Sequence, residues 1–385
     1  MMRVLIGITT LLASALVQAY PHYIGHGYTS CKSCHYNPFG GGIVNDYARV
    51  VNATSIASGA LYPDSWDNEK VAYHSDFLFG AYKPKHVRMQ ANYRGIQIIS
   101  NPGSSESEST RWITMQEDLR GLVKFGQSDK FLISGSVSRT PRTTRSSNGQ
   151  RSEDNYRSRE HYVAYRPNQN FGVYAGLLDQ VFGIRFVEHN LSSRKFTEVS
   201  QNDQTHGVAL HYLKGNWEGG THLFAGNLSQ DESLRMKGIS TMLERTVGEI
   251  HRVGFSVKKS SNEFKDLLAY SAHTRISLKS GSSLQFELGQ TKLTPQNDVD
   301  PIESRYAVLQ TYLRPIRGLY LFTNIDYFKP DTSKDDYTVV WGPGIQYLPI
   351  HRTEFRLDLQ NIRNFDPEKS VRDTWQLLLQ THFWL

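Results

Sequence analysis

From about residue 70 onward, apolar and polar residues alternate at every second position, in segments of about ten to fifteen residues. Clusters of Gly, Pro, Asn, Asp and Ser separate the segments. Successive side chains of a strand point to opposite faces, so this pattern is typical of an all-β protein. It predicts about sixteen strands, at 70–82, 86–99, 110–125, 130–139, 157–167, 170–183, 204–214, 217–226, 248–259, 264–279, 283–293, 303–314, 318–329, 335–347, 351–362 and 371–385.

The last segment shows the alternation most clearly. One face carries Trp375, Leu377, Leu379, Thr381, Phe383 and Leu385, and the other carries Gln376, Leu378, Gln380, His382 and Trp384. A terminal strand with aromatic residues at its end resembles the C-terminal signature of outer-membrane barrels. That signature usually ends in Phe, whereas this chain ends in Leu385.

Short connections alternate with long ones, as they do in transmembrane barrels. Counted back from the C-terminus the alternation is regular, but it changes phase between Asn227 and Phe264. Either one strand is miscounted there, or one outer connection is unusually tight. The polar segment Ile184–Gln204 is expected to be an outer loop or a loop folded into the pore, and the sequence leaves both open.

Composition narrows the class of β-protein. Mean hydropathy is −0.49, yet aromatic residues make up 12% of the chain, and no apolar run long enough for a membrane helix follows residue 20. A transmembrane antiparallel β-barrel of 14–18 strands combines these features, and a soluble exported β-protein is the alternative. The net charge of +6 is clustered only in the loop-like segment 139–159, so no nucleic-acid partner is expected.

The chain begins with a hydrophobic leader. A basic start at Arg3 precedes an apolar run, and Val17-Gln18-Ala19 is a plausible site for signal peptidase. Residues 1–19 are therefore predicted to be a cleaved signal peptide, with an uncleaved membrane anchor as the alternative. With the barrel pattern, this predicts export to the outer membrane of a Gram-negative bacterium.

Both cysteines of the chain lie directly behind this leader. Cys31-Lys32-Ser33-Cys34-His35 is the C-x-x-C-H pattern of covalent c-type haem attachment. Two thiols one helical turn apart can add to the two vinyl groups on one edge of the macrocycle, and His35 can then reach the iron as the proximal ligand. The sequence predicts one haem c on Cys31, Cys34 and His35.

The cysteine pair is also compatible with three less specific kinds of thiol chemistry. A Cys31–Cys34 disulfide is possible in an oxidising compartment. A thioredoxin-like pair needs a βαβ setting that the pattern lacks, and structural zinc needs a fourth ligand beyond the three in the motif.

The residues around the motif bear on the haem pocket. Gly40, Gly41 and Gly42 permit close backbone approach to a flat ligand, or else form a linker. The distal iron ligand is open: His26 is the first candidate and His22 the second, while Met89 and Met115 are the nearest methionines. A residue of the barrel or an open site is also possible.

The chain divides into a haem-binding segment, residues 20–68, and a barrel, residues 69–385. So short a segment cannot bury a haem by itself, so the barrel is expected to supply much of the pocket.

This order of parts resembles the fused outer-membrane cytochrome-porins of iron-oxidising bacteria, with the residue-level match confined to Cys31, Cys34 and His35. The resemblance implies a monohaem cytochrome in or at the mouth of the pore. It would pass electrons between an external donor or acceptor and a periplasmic cytochrome. The expected partners are that carrier, outer-membrane lipid, and the machineries of cytochrome c maturation and barrel insertion.

Two further functions remain open on the sequence. They are a solute-diffusion porin with a structural haem plug and a soluble periplasmic monohaem cytochrome. A substrate-converting enzyme is less expected than electron transfer, because the carboxylates Glu117, Asp118, Asp335 and Asp336 lie in contexts where solvation explains them.

Overall fold

The structure is a computed structural model that describes residues 20–82, 84–104, 107–126, 129–140, 155–297, 299–369 and 371–385. The predicted signal peptide, residues 1–19, lies outside the described residues, as does 141–154 in the basic segment. Among the helices described, none is both long and apolar enough to cross a membrane.

Most of the described chain forms one antiparallel sheet. Its strands are β1 (Val87–Ser100), β2 (Ser109–Phe125), β3 (Phe131–Thr140), β4 (Asn155–Arg157), β5 (His161–Tyr165), β6 (Phe171–Leu178), β7 (Thr205–Lys214), β8 (Trp217–Phe224), β9 (Lys237–Val247), β10 (His251–Ser261), β11 (Lys265–Ser277), β12 (Ser283–Pro295), β13 (Ile302–Ile316), β14 (Leu319–Lys329), β15 (Tyr337–Tyr347), β16 (Thr353–Phe365) and β17 (Arg372–Trp384).

The sheet closes on itself. Each strand pairs with its neighbours in the chain, and β1 also pairs with β17, from Asn92 opposite Trp384 to Ser100 opposite Gln376. Both β4 and β5 pair with β3, so they occupy a single strand position. The described residues therefore form a closed barrel of 16 strands, which confirms the predicted fold class.

The strand count was predicted correctly, but two of the predicted strand assignments are wrong. The segment 70–82 is not a strand: it contains the α-helix Asn68–His74 and the 3₁₀ helix Phe77–Gly80. The side chain of Asp67 caps that α-helix by accepting the backbone N–H of Lys70 at 2.8 Å. Conversely, β9 was missed, because the apolar Met242 faces inward and the charged Arg245 faces outward, which blurs the alternation.

The missing strand explains the change of phase in the connections. Restoring β9 puts the long connection 225–236 and the short connection 248–250 in their proper order. The outer connection between β10 and β11 is also tight, with only 262–264 between the two strands. Both possibilities raised by the sequence are therefore correct.

Side chains alternate between the lumen and the outer surface. On β14, Tyr320 and Asp326 are buried in the lumen, whereas Leu321 and Ile325 are exposed on the outside. The predicted faces of the last strand are confirmed as well, with His382 buried and Leu379 exposed.

The chain before β1 contains short helices. They are the 3₁₀ helix Pro21–His26, the 3₁₀ turn Cys31–Ser33, α1 (Asp46–Val51), the π-turn Asn52–Ile56, α2 (Asn68–His74) and the 3₁₀ helix Phe77–Gly80. Residues 20–82 are called the N-terminal segment below. The first barrel strand begins at Val87, so the whole segment precedes the sheet.

Candidate haem site

The N-terminal segment occupies the end of the barrel where the short turns lie. The backbone N–H of Gly281 donates to the carbonyl of Gly25 at 2.9 Å, and that of Ser58 donates to the carbonyl of Leu348 at 2.8 Å. Arg317 donates to the carbonyl of Ala53 at 3.0 Å. These three contacts lie on neighbouring short turns. The ammonium group of Lys32 contacts the carbonyl of Gln169 on the turn between β5 and β6, across the barrel, so the segment spans the lumen.

Side chains of the lumen hold the segment from several strands. Ser30 donates to Glu218 of β8 at 2.6 Å, and the hydroxyl of Tyr20 hydrogen-bonds to Glu354 of β16. Arg275 of β11 donates to the carbonyl of Thr29 at 3.1 Å. The barrel wall therefore surrounds the residues that lead into the C-x-x-C-H motif.

The motif forms one tight turn. The hydroxyl of Ser30 caps it by accepting the N–H of Lys32 at 3.2 Å. The N–H groups of Cys34 and His35 both donate to the carbonyl of Cys31, at 3.1 and 2.9 Å. This turn brings Cys31, Cys34 and His35 together, and both cysteines are free thiols.

The two thiols differ in their exposure to solvent. Cys34 is 6% exposed and belongs to an aromatic cluster with Tyr20, Tyr23 and Trp384, whereas Cys31 is half-buried beside Gly40. Burial raises the pKa of the Cys34 thiol to about 12, with the neighbouring Cys31 adding to the shift. Burial also raises the pKa of Cys31. Both thiols are therefore neutral near pH 7 in the folded, unmodified chain.

The three glycines adopt a left-handed backbone conformation that requires glycine. Gly40, Gly41 and Gly42 have φ values of 82°, 74° and 66°, which only glycine adopts without strain. A Cβ at Gly40 would lie 2.9 Å from Cδ of Arg185, and one at Gly42 would lie 2.6 Å from Oε2 of Glu160. The glycines thus let the segment approach charged groups of the lumen closely.

The loop between β6 and β7 is folded into the lumen, which is one of the two expectations for Ile184–Gln204. The N–H of Ile184 donates to Glu287 at 2.7 Å, and the N–H of Ser192 donates to Asp326 at 2.9 Å. It carries the short helix α3 (Ser192–Lys195). This lumen loop faces the N-terminal segment from the outer side.

Two cavities adjoin the motif inside the barrel. The inner cavity, about 100 Å³, is lined by His35, Gly41 and Gly42 of the segment and by Phe186 and His189 of the lumen loop. The thiol cavity, about 50 Å³, is lined by Cys31, Phe39 and Gly40, and by Met242 of β9.

His35 also lines a cavity that opens at the short-turn end of the barrel. The mouth cavity, at the short-turn end, is lined by Lys32, His35, Tyr36 and the turn 166–169. On the other side, an outer vestibule shares Arg94, Arg159, Val187, His189 and Gln201 with the inner cavity. His35 therefore lies between a space open to the short-turn end and a space that continues toward the long loops.

The donor types of the motif are those of covalent haem attachment, while Cys34 lines neither the inner cavity nor the thiol cavity. The two thiols lie one turn apart, the imidazole of the next residue lines a cavity on either side, and the thiol cavity begins at Cys31. The donor set is the one that haem c requires.

The candidate distal ligands lie in aromatic surroundings. His26 Nε2 hydrogen-bonds to the hydroxyl of Tyr320 at 2.8 Å. The ring of His22 stacks on Tyr312, with ring centroids 3.9 Å apart, and its Nε2 has no hydrogen-bond partner among the described residues. Burial lowers the pKa of His26 to about 4, with Arg314 adding to the shift, so its imidazole is neutral at pH 7.

The two methionines lie elsewhere. Met89 lines a small cavity beside Trp384, and Met115 lines the outer vestibule. Sequence reasoning missed His189 and Met242, which line the cavities next to the motif. Nothing in the sequence pairs them with Cys31 or His35, because the barrel closure brings them there.

The carboxylates set aside as solvated include one that is buried. Asp118 lies inside the lumen and accepts a hydrogen bond from Arg120 at 2.9 Å. Solvation is therefore the wrong account of this residue, since an ion pair neutralises it. Glu117 is on the outer side and pairs with Arg139 at 2.9 Å.

Comparison with solved structures identifies the fold. Outer-membrane expressed OmpT of Vibrio cholerae aligns with a TM-score of 0.61 and 8% identity, over 79% of this chain and 99% of that one. An anion-selective porin from Comamonas acidovorans gives 0.58 and 11%, over 78% and 99%. The outer-membrane channel DcaP of Acinetobacter baumannii gives 0.55 and 10%, over 79% and 99%. The chain has the porin fold.

The porin fold confirms the predicted outer-membrane β-barrel. No family model matches the sequence. No curated protein matches it either. At these identities the likeness concerns the barrel alone, and it is silent on the N-terminal motif.

Proposed function

We propose that this protein is an outer-membrane cytochrome-porin that carries one haem c and transfers electrons between an external donor or acceptor and a periplasmic carrier. The single observation that carries the proposal is the position of His35, which lines both the mouth cavity and the inner cavity. A redox group on this residue can be approached from both ends of the barrel.

The haem supplies one-electron redox chemistry when bound. Cys31 and Cys34 would hold it by two thioether bonds, and His35 would ligate the iron. The tight turn fixes these three side chains relative to one another, because the carbonyl of Cys31 accepts both following N–H groups. Tyr20, Tyr23 and Trp384 exclude water from the side of Cys34.

A protein partner that binds at the short-turn end of the barrel would contact the residues around the mouth cavity. Short turns of outer-membrane barrels face the periplasm, so the mouth cavity would face a periplasmic cytochrome. Lys32 lies at this mouth and its ammonium group contacts the carbonyl of Gln169. The distal ligand we propose is His26, which is half-buried, or His22, which is buried; burial lowers the pKa of both, so both are neutral at pH 7.

The porin fold favours a second candidate, a diffusion porin in which the haem only fastens the N-terminal segment. Two observations speak against a wide diffusion path. The segment spans the lumen at one end, and the lumen loop crosses it farther along. A barrel built for diffusion would keep a wider water-filled path.

The test starts from protein recovered from outer membranes of cells competent in cytochrome maturation. A pyridine haemochrome spectrum is expected to show haem with two thioether bonds. In liposomes that enclose a reduced c-type cytochrome, electrons should reach an impermeant external oxidant. The matched control is the Cys31→Ala/Cys34→Ala double variant, which should not support exchange.

Colourless wild-type protein would overturn the haem assignment and the electron-transfer function. Haem-loaded protein that conducts ions but exchanges no electrons across the membrane would favour the diffusion porin. Recovery in the soluble periplasmic fraction would instead support a soluble cytochrome.

A further inference from the structure

Strand β2 contains a β-bulge that changes which of its side chains face the lumen. Opposite β1, Arg94 pairs with Gln116, but the next residue, Gly95, pairs with Thr114, so Met115 is an extra residue. A single extra residue exchanges the two faces of a strand from that point onward. The outer half of β2 therefore turns the opposite set of side chains toward the lumen from the half near the short turns.

The exchange brings Ile113 and Arg111 into the lumen. Both line the outer vestibule, whereas Trp112 between them is 48% exposed on the outer surface. On the other side of the bulge, Gln116 and Asp118 are buried in the lumen. An isoleucine at such a position is unusual, because the lumen of a transmembrane barrel is polar.

Ile113 belongs to a group of four apolar side chains that face the lumen, called the apolar block below: Ile96, Ile98, Ile113 and Leu378. Ile113 pairs with Ile96 across β2 and β1, and Ile98 pairs with Leu378 across β1 and β17. Paired residues of neighbouring strands lie side by side on one face, so the four side chains form a continuous apolar surface. Arg111 lies at its edge as the partner of Ile98.

The apolar block faces a cavity, whereas Val308 of β13, also in the lumen, is buried under apolar side chains of the lumen loop. Three of the four side chains of the block are only half-buried. The outer vestibule that they line has a volume of about 550 Å³, which lies within the range of small-molecule sites. The block is therefore an apolar surface that a ligand of that size can cover.

Charged groups surround the apolar block. Four guanidinium groups line the outer vestibule, those of Arg94, Arg111, Arg159 and Arg356. Three carboxylates line it as well, those of Glu188, Asp203 and Asp358. Arg356 pairs with both Glu188 and Asp358, at 2.5 and 2.9 Å, whereas Arg111 pairs with no carboxylate among the described residues. An anionic group at Arg111 would therefore neutralise a cation directly beside the apolar block.

Amide groups supply the remaining polar lining. Asn190, Gln201 and Asn202 come from the lumen loop, and Gln360 and Gln380 come from β16 and β17. Amides both donate to and accept from uncharged oxygen atoms. A hydrated metal cation would gain nothing from the apolar block and would be repelled by Arg111, and an inorganic anion would leave the block exposed to water. The lining thus fits an organic anion that has an apolar body.

We propose that the outer vestibule is a binding site for a small organic anion with an apolar body. The apolar block contacts the body of the ligand, Arg111 contacts its anionic group, and the amides contact its uncharged oxygen atoms. This goes beyond the proposed function, because none of these contacts requires a haem on the C-x-x-C-H motif. It also differs from a general path for anions, because it requires the apolar block.

The test uses calorimetry to titrate anthraquinone-2-sulfonate, an aromatic body with one anionic group, into full-length protein in lipid nanodiscs, with the signal of empty nanodiscs subtracted. Ile98→Thr should weaken binding by about fourfold or more, since it removes the equivalent of about one buried CH₂ group. Arg111→Gln should weaken it by about two- to fivefold, because Arg111 is exposed and solvent screens its ion pair with the probe.

The matched controls are Ile325→Thr and Arg363→Gln. Ile325 lies on the outer face of β14, and Arg363 pairs with Asp373 at an exposed position outside the vestibule. Both variants should bind the probe as the wild type does. The Cys31→Ala/Cys34→Ala double variant should do so as well, and a pyridine haemochrome spectrum of the wild-type sample tests the proposed function separately.

Three results would overturn the proposal. They are absence of probe binding to the wild type, equal affinities of Ile98→Thr and Ile325→Thr, and loss of binding in the double cysteine variant, which would assign the probe to the haem. Sulfate that binds as tightly as the probe would show a plain anion site and would overturn it too. If Ile98→Thr fails to insert, Ile98→Val is used, which keeps the branched side chain and should weaken binding by about two- to fourfold.

Discussion

The contact between Phe39 and Gly220 should determine whether the N-terminal segment stays in the barrel. Phe39 is 8% exposed and lies against β8, where a Cβ on Gly220 would be 2.1 Å from Cε1 of the ring. Real Cβ atoms do not come so close, so Gly220→Ala must displace the ring. Overpacking of this kind costs about 1–3 kcal/mol. The undocked fraction of the segment should therefore rise by a factor of about 5 to 150.

The assay is single-channel conductance in planar bilayers. Gly220→Ala should open the barrel more often than the wild type, because the segment spans the lumen at the short-turn end. Gly121→Ala is the matched control: it also adds a methyl group to a strand, but its Cβ would meet no described atom within 4 Å. In a double-mutant cycle, Phe39→Ala should remove most of the extra effect of Gly220→Ala.

Equal conductance of Gly220→Ala and Gly121→Ala, with both barrels folded, would refute this reasoning. It would mean that the ring moves aside at no cost, or that Phe39 does not hold the segment in place.

Two further predictions concern the two thiols, and a third concerns an ion pair of the barrel wall. Cys31→Ala should leave a haem with a single thioether bond, seen as a shifted pyridine haemochrome band; an unshifted two-bond spectrum would contradict the assignment. In folded protein made without cytochrome maturation, a pKa of about 12 leaves about one Cys34 thiol in ten thousand ionised at pH 8. Its alkylation by iodoacetamide should be far slower than in the unfolded chain and should rise about tenfold per pH unit; equal rates would show that the thiol is exposed. Glu218→Gln removes one of the two carboxylates that pair with Arg252 inside the lumen, at 2.8 Å, and leaves Glu244 at 2.9 Å, so the free energy of unfolding measured in urea should fall by about 1–3 kcal/mol, whereas Asp373→Asn, which breaks an exposed pair, should leave it nearly unchanged.

The sequence predicted the barrel because its strands alternate, and the alternation is a local property of each segment. It failed where local signals conflict with their surroundings. At 70–82 the aromatic residues resembled a strand, but the capping side chain of Asp67 starts a helix there. In β9 the outward Arg245 breaks the alternation, and the ring of Trp217 over which it lies belongs to another strand.

The residues of the candidate site also divide into those that the sequence could predict and those that it could not. Cys31, Cys34 and His35 could be found from the sequence, because their spacing alone sets their geometry on one turn. Arg185, Arg194 and Met242 could not, because the barrel and the lumen loop bring them to the motif from distant parts of the chain. The sequence indicated that the three glycines allow a close approach, but it did not show that Arg185 is the side chain closest to Gly40.

The seam between β1 and β17 has a consequence for biogenesis. The N-terminal segment connects directly into β1, and Trp384 near the end of β17 packs in the same cluster as Tyr20 and Cys34. Strand β17 thus completes both the barrel wall and the packing around the buried thiol. Under the proposed function, a haem on Cys34 would have to be attached before the seam between β1 and β17 closes, because Tyr20, Tyr23 and Trp384 then pack against that thiol. Assembly in the membrane would then act as a checkpoint at which unloaded chains can be told from loaded ones.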